Sequence, residues 1–209
     1  MSAGSAFFVR WRVRLGYPLA VAVLWFARPT PRSIAIGMVV GLVGLWLRAY
    51  AAGYLQKHEI LTVTGPYART RNPLYLGSAI LAVGVAVATH SWMSSVFLGV
   101  YFAIFYPIVM RREEAELREH YGARFDEYAR AVPLFIPRVT AAKFPRSNVG
   151  AFSLAQYKKN REYQAAIGFL LLLALLFVTW RLRLPRNDFV RRLRTSHIAG
   201  NFERIPIRE

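Results

Sequence analysis

The sequence predicts an all-α fold: a polytopic membrane bundle of about five transmembrane helices, with one amphipathic helix on the cytoplasmic face. Three observations carry that expectation. Of the 209 residues, 55% are hydrophobic, and they gather in runs that approach the ~20 residues a bilayer core requires. The formal charge of +17 lies between and after those runs rather than along them. Polar stretches with Gly and Pro separate one run from the next. A soluble nucleic-acid binder would share the charge but not the apolar runs, so no nucleic-acid partner is expected. The charge instead suits topology and contact with anionic membrane lipids. The chain has no cysteine, which excludes disulfides, a thiolate nucleophile and Cys-ligated metal sites.

The elements follow in order. The first apolar segment covers roughly residues 16–27, and Phe7–Val13 can lengthen it. Arg10, Arg12 and Arg14 precede it as in a signal peptide, but no small-x-small cleavage site follows, which predicts a retained first helix. Pro29 and Pro31 mark a turn. The second segment covers roughly 33–55. Its Gly37 and Gly41 form a GxxxG pair, with Gly44 a turn on; this reads equally as a close helix contact or as the glycine common in membrane helices. A polar loop spans 56–73. The third and fourth segments, roughly 74–89 and 92–110, are joined only by His90-Ser91, which forces an antiparallel hairpin. Pro107 predicts a kink near the end of the fourth.

Residues 111–132 read as one amphipathic helix, because Leu117, Tyr121, Phe125, Tyr128 and Val132 recur at spacings of three and four. Gly122 is expected to weaken it by about 1 kcal/mol without ending it. Pro133 and Pro137 end it. Residues 138–162 are polar and basic and are expected along the membrane surface, before a fifth apolar segment at 165–180. The membrane domain is thus expected over 1–180, with its core at 48–137, followed by a basic tail of poor order at 181–209.

With the N-terminus cytoplasmic, the positive-inside rule holds through residue 162: eleven Lys and Arg lie in 111–162, and none at the His90 turn. The tail breaks the rule if the fifth segment spans. A spanning helix is favoured, and a re-entrant one is the alternative.

Two polar signatures then return to one membrane face. The first is Gly65-Pro66-Tyr67-Ala68-Arg69-Thr70-Arg71-Asn72-Pro73-Leu74-Tyr75-Leu76-Gly77. Pro73 suits the first turn of the third helix, whose free N–H groups and partial positive charge, with Arg71, suit a carboxylate. Read alone, it serves equally as an ordinary loop-to-helix junction. The second is Arg111-Arg112-Glu113-Glu114-Ala115-Glu116-Leu117. Adjacent helical residues point about 100° apart, so one carboxylate can face a pocket and meet an ammonium group while the other pairs with arginine. Read alone, it is a charge run closing a membrane helix. Arg48 lies inside the second segment, where an ionisable residue is a functional candidate by default or an arginine snorkelling to the interface. Lys57 and His58 follow it; a single histidine without acidic partners predicts no metal site.

Together these residues resemble the membrane methyltransferase superfamily of isoprenylcysteine carboxyl methyltransferases and phospholipid N-methyltransferases. The first motif matches at Gly65, Tyr67, Arg71, Pro73, Tyr75 and Gly77. The second matches at Glu113, Glu114, Leu117, Tyr121, Gly122, Phe125, Tyr128, Val132 and Pro133. The resemblance covers about two fifths of the chain. It implies an integral membrane enzyme with S-adenosylmethionine as methyl donor and a cytoplasm-facing site. Arg71, Asn72, Pro73 and Tyr75 would line the cofactor pocket, Glu114 would bind the cofactor's amino group, and Lys57 and His58 would lie on the rim. Tyr67 and Tyr75 could meet the sulfonium by cation–π attraction. Asn72 stands where the family has histidine and cannot serve as a general base. Arg48, Arg71 and Glu113 are the catalytic candidates: arginine to orient a carboxylate, Glu113 to take a proton if the acceptor is an amine. The acceptor is expected to be lipid-like, prenylated or otherwise apolar. Carboxyl O-methylation of an isoprenylcysteine type is favoured, with amine N-methylation of a phospholipid and thiol methylation open. A nicotinamide-dependent membrane reductase and a non-catalytic membrane scaffold are the alternatives of other classes.

Overall fold

A computed structural model describes the backbone of residues 3–56, 60–144 and 151–202, with side chains described from Arg14 to Leu182 within them. Among the described residues there are helices and no strand. They are α1 (Ala3–Phe26), α2 (Pro31–Tyr54), α3 (Pro73–Thr89), α4 (Trp92–Tyr121), α5 (Ala123–Ala131), α6 (Leu154–Lys159) and α7 (Tyr163–Phe202). A short 3-10 turn at Gly65–Ala68 precedes α3. Three helices are long and apolar enough to cross a membrane: α2, α4 and the Tyr163–Leu182 part of α7. The described part of α1, Arg14–Phe26, and α3 are shorter apolar helices.

Local chemistry sets the helix starts. Thr30 and Ser33 form a reciprocal capping box at α2, with Pro31 in its first turn. Ser91 accepts from the Ser94 N–H at α4, and His90 takes the left-handed conformation that makes the two-residue turn possible. Pro73 opens α3 as expected.

Glycine decides the packing of α2 on α3. A Cβ on Gly37 would stand 2.4 Å from the Gly84 carbonyl oxygen, and one on Gly44 2.6 Å from that of Gly77. The two antiparallel backbones therefore touch, and the GxxxG pair is a helix contact. The same seam receives α7, whose Phe169 ring fills the space a Gly41 side chain would take. Further along, Leu173 and Leu176 pack with Ala27 and Ala88. The fifth apolar segment therefore runs antiparallel to α2 from one end of the bundle to the other, which is the spanning arrangement. Its helix continues past residue 181 to Phe202, where the sequence predicts a tail of poor order.

Two expectations are corrected. The fourth apolar segment and the charged stretch after it are one 30-residue helix with Pro107 inside it. That helix ends at Gly122, whose φ of 54° and ψ of −129° stop it and start α5 in a new direction. A glycine takes this positive φ without the Cβ clash that an L side chain meets. The turn frees α5 to bury Phe125, Tyr128 and Val132 against Leu61, Val63, Ala142 and Phe144.

A charged site at one end of the bundle

The end of the bundle where α2 stops and α3 and α7 start gathers both motifs. The segment 65–72 is braced from behind by the chain that follows α5. Arg71 N donates to the Pro133 carbonyl at 2.9 Å, Arg138 N to Arg69 O at 3.0 Å, and Ala142 N to Ala68 O at 2.9 Å. Thr70 Oγ1 donates to Phe135 O at 3.0 Å, and Asn72 Nδ2 to Leu134 O at 3.0 Å. The Asn72 amide thus fastens the loop. It makes no side-chain cap, and the start of α3 is left without one. Pro73 is fully buried beside it.

On this frame stand two ion pairs. Arg71 Nη1 lies 2.6 Å from Glu114 Oε1, and both side chains are largely buried. Arg48 pairs with Glu162 through Nε at 3.0 Å and Nη2 at 2.6 Å. Its Nη1 reaches the Ser78 hydroxyl and the Leu74 carbonyl. The guanidinium therefore ties α2, α3 and the start of α7 together. Gly77 permits this: a Cβ there would stand 2.7 Å from Arg48 Cγ. Glu162 belongs to neither motif, and the sequence offers no signal for it. Arg161 beside it takes a positive φ of 53°, turning the chain from α6 into α7.

Between the pairs lie the aromatic and acidic candidates. Tyr75 donates to Glu113 Oε1 at 2.5 Å, and its ring meets Tyr106 edge-on at 5.3 Å. Tyr128 donates from its hydroxyl to the Tyr67 carbonyl at 2.8 Å. Burial pushes the Tyr67 hydroxyl well above its usual pKa, and Tyr128, Glu113 and Glu162 raise it further against an opposing Arg48. Burial also raises Tyr128, Arg71 opposing and Glu114 adding to the effect. Both phenols are therefore neutral hydrogen-bond donors at physiological pH.

One feature separates this end from the rest of the molecule. Among the described residues, the buried side-chain polar atoms without a hydrogen bond are Tyr67 OH, Arg71 Nε and Glu114 Oε1, all in the two motifs. The Arg71–Glu114 contact is close but off hydrogen-bond geometry. Buried polar atoms are nearly always satisfied, so Tyr67 OH and Arg71 Nε, with the ion-paired Glu114 Oε1, are the groups here that could hold a polar ligand. An ammonium suits the Glu114 oxygen and a carboxylate suits Arg71 Nε.

Of the residues proposed from sequence, the structure brings Arg48, Tyr67, Arg71, Asn72, Pro73, Tyr75, Glu113 and Glu114 to this end. Lys57 and His58 lie outside the described residues. Among the described residues, no three His, Asp or Glu side chains gather as a metal site.

The fold is that of a polytopic helical membrane bundle, with the two motifs gathered at one end of it. Residues 32–124 match the phospholipid methyltransferase family, a segment that holds the first motif and the Glu113, Glu114, Leu117, Tyr121 and Gly122 part of the second. The resemblance to the membrane methyltransferase superfamily therefore stands. The chain is 37% identical over 106 residues to the nickel-cobalt-cadmium resistance protein NccN of Alcaligenes xylosoxydans xylosoxydans, covering 50% of this chain and 48% of that one. It is 32% identical over 139 residues to the cobalt-zinc-cadmium resistance protein CzcN of Cupriavidus metallidurans, covering 62% and 63%. It is 29% identical over 83 residues to the protein-S-isoprenylcysteine O-methyltransferase of Schizosaccharomyces pombe, covering 40% and 35%. The chain thus spans less than two thirds of each of these relatives. No solved structure matches it.

Proposed function

We propose that this chain is an integral membrane methyltransferase that uses S-adenosylmethionine, with its site on the cytoplasmic face and a lipid-like or apolar acceptor. The observation that carries this reading is the cluster of three orphaned polar atoms in the two motifs, Tyr67 OH, Arg71 Nε and Glu114 Oε1. Arg71 and Glu114 present opposite charges, as the carboxylate and ammonium of an amino-acid moiety require. When bound, S-adenosylmethionine supplies an electrophilic methyl group whose carbon–sulfur bonding pair stays on sulfur as the acceptor's lone pair forms the new bond.

The residues of this chain hold and orient. Arg71 and Glu114 bind the two ends of the amino-acid group. Tyr75 and Tyr67 line the space beside it. Asn72 offers no base, since its amide is committed to the Leu134 carbonyl. Glu113 accepts from Tyr75 and would be the base if the acceptor were an amine. A carboxylate acceptor needs none, which favours carboxyl O-methylation of an isoprenylcysteine type; positioning and exclusion of water then supply most of the rate. The relative named as an isoprenylcysteine O-methyltransferase supports the same choice.

The test is calorimetric titration of the detergent-purified protein with S-adenosylmethionine and S-adenosylhomocysteine. Micromolar binding that Glu114→Ala removes supports the reading. Folded protein that binds neither, with lipid and apolar acceptors present, moves the assignment to a nicotinamide-dependent reductase or a membrane scaffold.

A further inference from the structure

The bundle end away from the two motifs carries positive charge that the described protein does not balance. Arg28 and Arg32 flank the turn into α2, and both side chains are exposed. Neither has an ion pair or a side-chain hydrogen bond among the described residues. α1, α2, α3, α4 as far as Arg112 and the Tyr163–Leu182 part of α7 contain no Asp or Glu. At the motif end, by contrast, Arg48 and Arg71 each have a glutamate.

Water alone satisfies an exposed arginine, so charge by itself makes no site. Here a cleft of about 590 Å³ opens beside Arg32, between the first turn of α2, the last turn of α3 and the first turn of α4. Arg32, His90, Ser91 and Trp92 line it at the end of the bundle. Ile36 and Val87, about one turn further in, give it an apolar floor. Trp25 and Trp92 are 77% and 74% exposed at this end, and indoles gather where a bilayer meets water. The cleft therefore sits at head-group depth, polar above and apolar below.

Its walls are fixed. Ser33 Oγ donates to Ala88 O at 3.1 Å and Arg28 N to Thr89 O at 2.8 Å. A Cβ on Gly37 would stand 2.6 Å from the Ala88 Cβ. α2 and α3 already touch, so drawing them together cannot close the cleft. The helix starts do not supply its donors, because Thr30 and Ser91 cap Ser33 N and Ser94 N. The Arg32 guanidinium and the Trp92 indole N–H supply them, and among the described residues neither has a hydrogen-bond acceptor.

We propose that this cleft holds the head group of an anionic phospholipid from the surrounding leaflet, with its phosphate on Arg32 and Trp92. No motif residue lines the cleft, so the proposal stands apart from the methyltransferase reading. Three features choose this occupant. The guanidinium fork matches two phosphate oxygens. A zwitterionic head group would bring a second cation beside Arg28 and Arg32, whereas an anionic one leaves a net attraction. A soluble anion would leave Ile36 and Val87 uncovered, whereas the upper acyl chain of a lipid covers them.

The experiment uses the full chain, delipidated in a neutral detergent. It is titrated with dioleoylphosphatidylglycerol, with dioleoylphosphatidylcholine and with inorganic phosphate, and native mass spectrometry reads the lipid bound per chain. Wild type should bind one phosphatidylglycerol about tenfold tighter than phosphatidylcholine, and inorganic phosphate should not displace it. Arg32→Gln should weaken phosphatidylglycerol about tenfold and leave phosphatidylcholine within about twofold. Val87→Phe, which fills the floor and keeps Arg32, should weaken both lipids. Lys158→Gln removes an exposed cation at the motif end and should change neither.

Unchanged phosphatidylglycerol binding in Arg32→Gln overturns the proposal. Equal losses in Arg32→Gln and Lys158→Gln do so too, because they show a general attraction to the basic surface and a surrounding lipid only. Equal affinity of wild type for the two lipids removes the charge argument. Displacement by inorganic phosphate, or full binding in Val87→Phe, replaces the lipid with a free anion and overturns the assignment.

Discussion

The two ends of the α2–α3 pair are built from similar residues to opposite purposes. At the end near His90, polar groups satisfy one another. Ser33 Oγ donates to Ala88 O at 3.1 Å, Ser94 Oγ to Val23 O at 3.0 Å, and Arg28 N to Thr89 O at 2.8 Å. Ser33, Thr89 and Ser94 are buried and bonded. At the other end, Tyr67 OH, Arg71 Nε and Glu114 Oε1 are buried without a hydrogen bond among the described residues, Glu114 Oε1 keeping only its ion pair with Arg71. An unsatisfied buried group costs about 1–3 kcal/mol, so on the proposed reading the second end gives up stability that a bound ligand would restore. The buried groups of the first end hold helices together; those of the second are the ones proposed to bind a ligand.

Four outcomes would break or sharpen that contrast. The largest concerns Glu114. Glu114→Ala should weaken S-adenosylhomocysteine about 10- to 100-fold by calorimetry, the value of one charge-assisted contact. Ser33→Ala, at the opposite end, should leave that affinity unchanged. Equal losses in both would erase the distinction between the ends.

Next comes the seam that both ends share. A Cβ at Gly84 would stand 2.6 Å from the Gly41 backbone nitrogen and 2.7 Å from the Gly37 carbonyl oxygen. Gly84→Ala should therefore destabilise the protein by about 1–3 kcal/mol, read as a lower thermal midpoint in detergent. Gly99→Ala, where a Cβ meets nothing within 4 Å, is the control and should leave the midpoint close to wild type.

Smaller is the cap. Ser33→Ala removes half of the capping box and the bond to Ala88, and should cost about 1 kcal/mol in the same melt.

The smallest effect is on pH. Tyr67 and Tyr128 both have raised folded-state pKa values. The folded protein therefore favours the neutral phenol. Its contribution is complete below the unfolded tyrosine value of about 10, and is lost as the pH rises beyond it, because the unfolded chain ionises first. Stability should be flat across neutral pH and fall above pH ~10, less steeply in Tyr128→Phe. A fall beginning near neutral pH would contradict the buried, neutral assignment.

Much of this was readable in the chain. The apolar runs marked the helices, and Pro73 and the Ser91 turn marked where α3 and α4 begin. The paired motifs marked residues that meet at one end of the bundle, because they sit on short segments next to helix ends. What escaped has a common cause. Glu162 is separated from Arg48 by 114 residues, and no local pattern encodes a partner at that distance. Gly122 looked like a weak position in a helix, because a propensity cost of ~1 kcal/mol does not reveal a positive φ. Nor does any local pattern reveal that the Asn72 amide also bonds a carbonyl 62 residues on.

By itself, then, the sequence determined the helical membrane class, the order of the apolar segments and the two motifs that make the site. Periodicity, composition and turn chemistry act over a few residues and are written locally. Only the tertiary structure decided that the glycines of α2 face those of α3, that α7 lies antiparallel in the same seam, and that Glu162 closes on Arg48. It also decided which three polar atoms are left without partners. Such facts depend on which surfaces meet when helices pack, and packing is a property of the whole fold rather than of any stretch of chain.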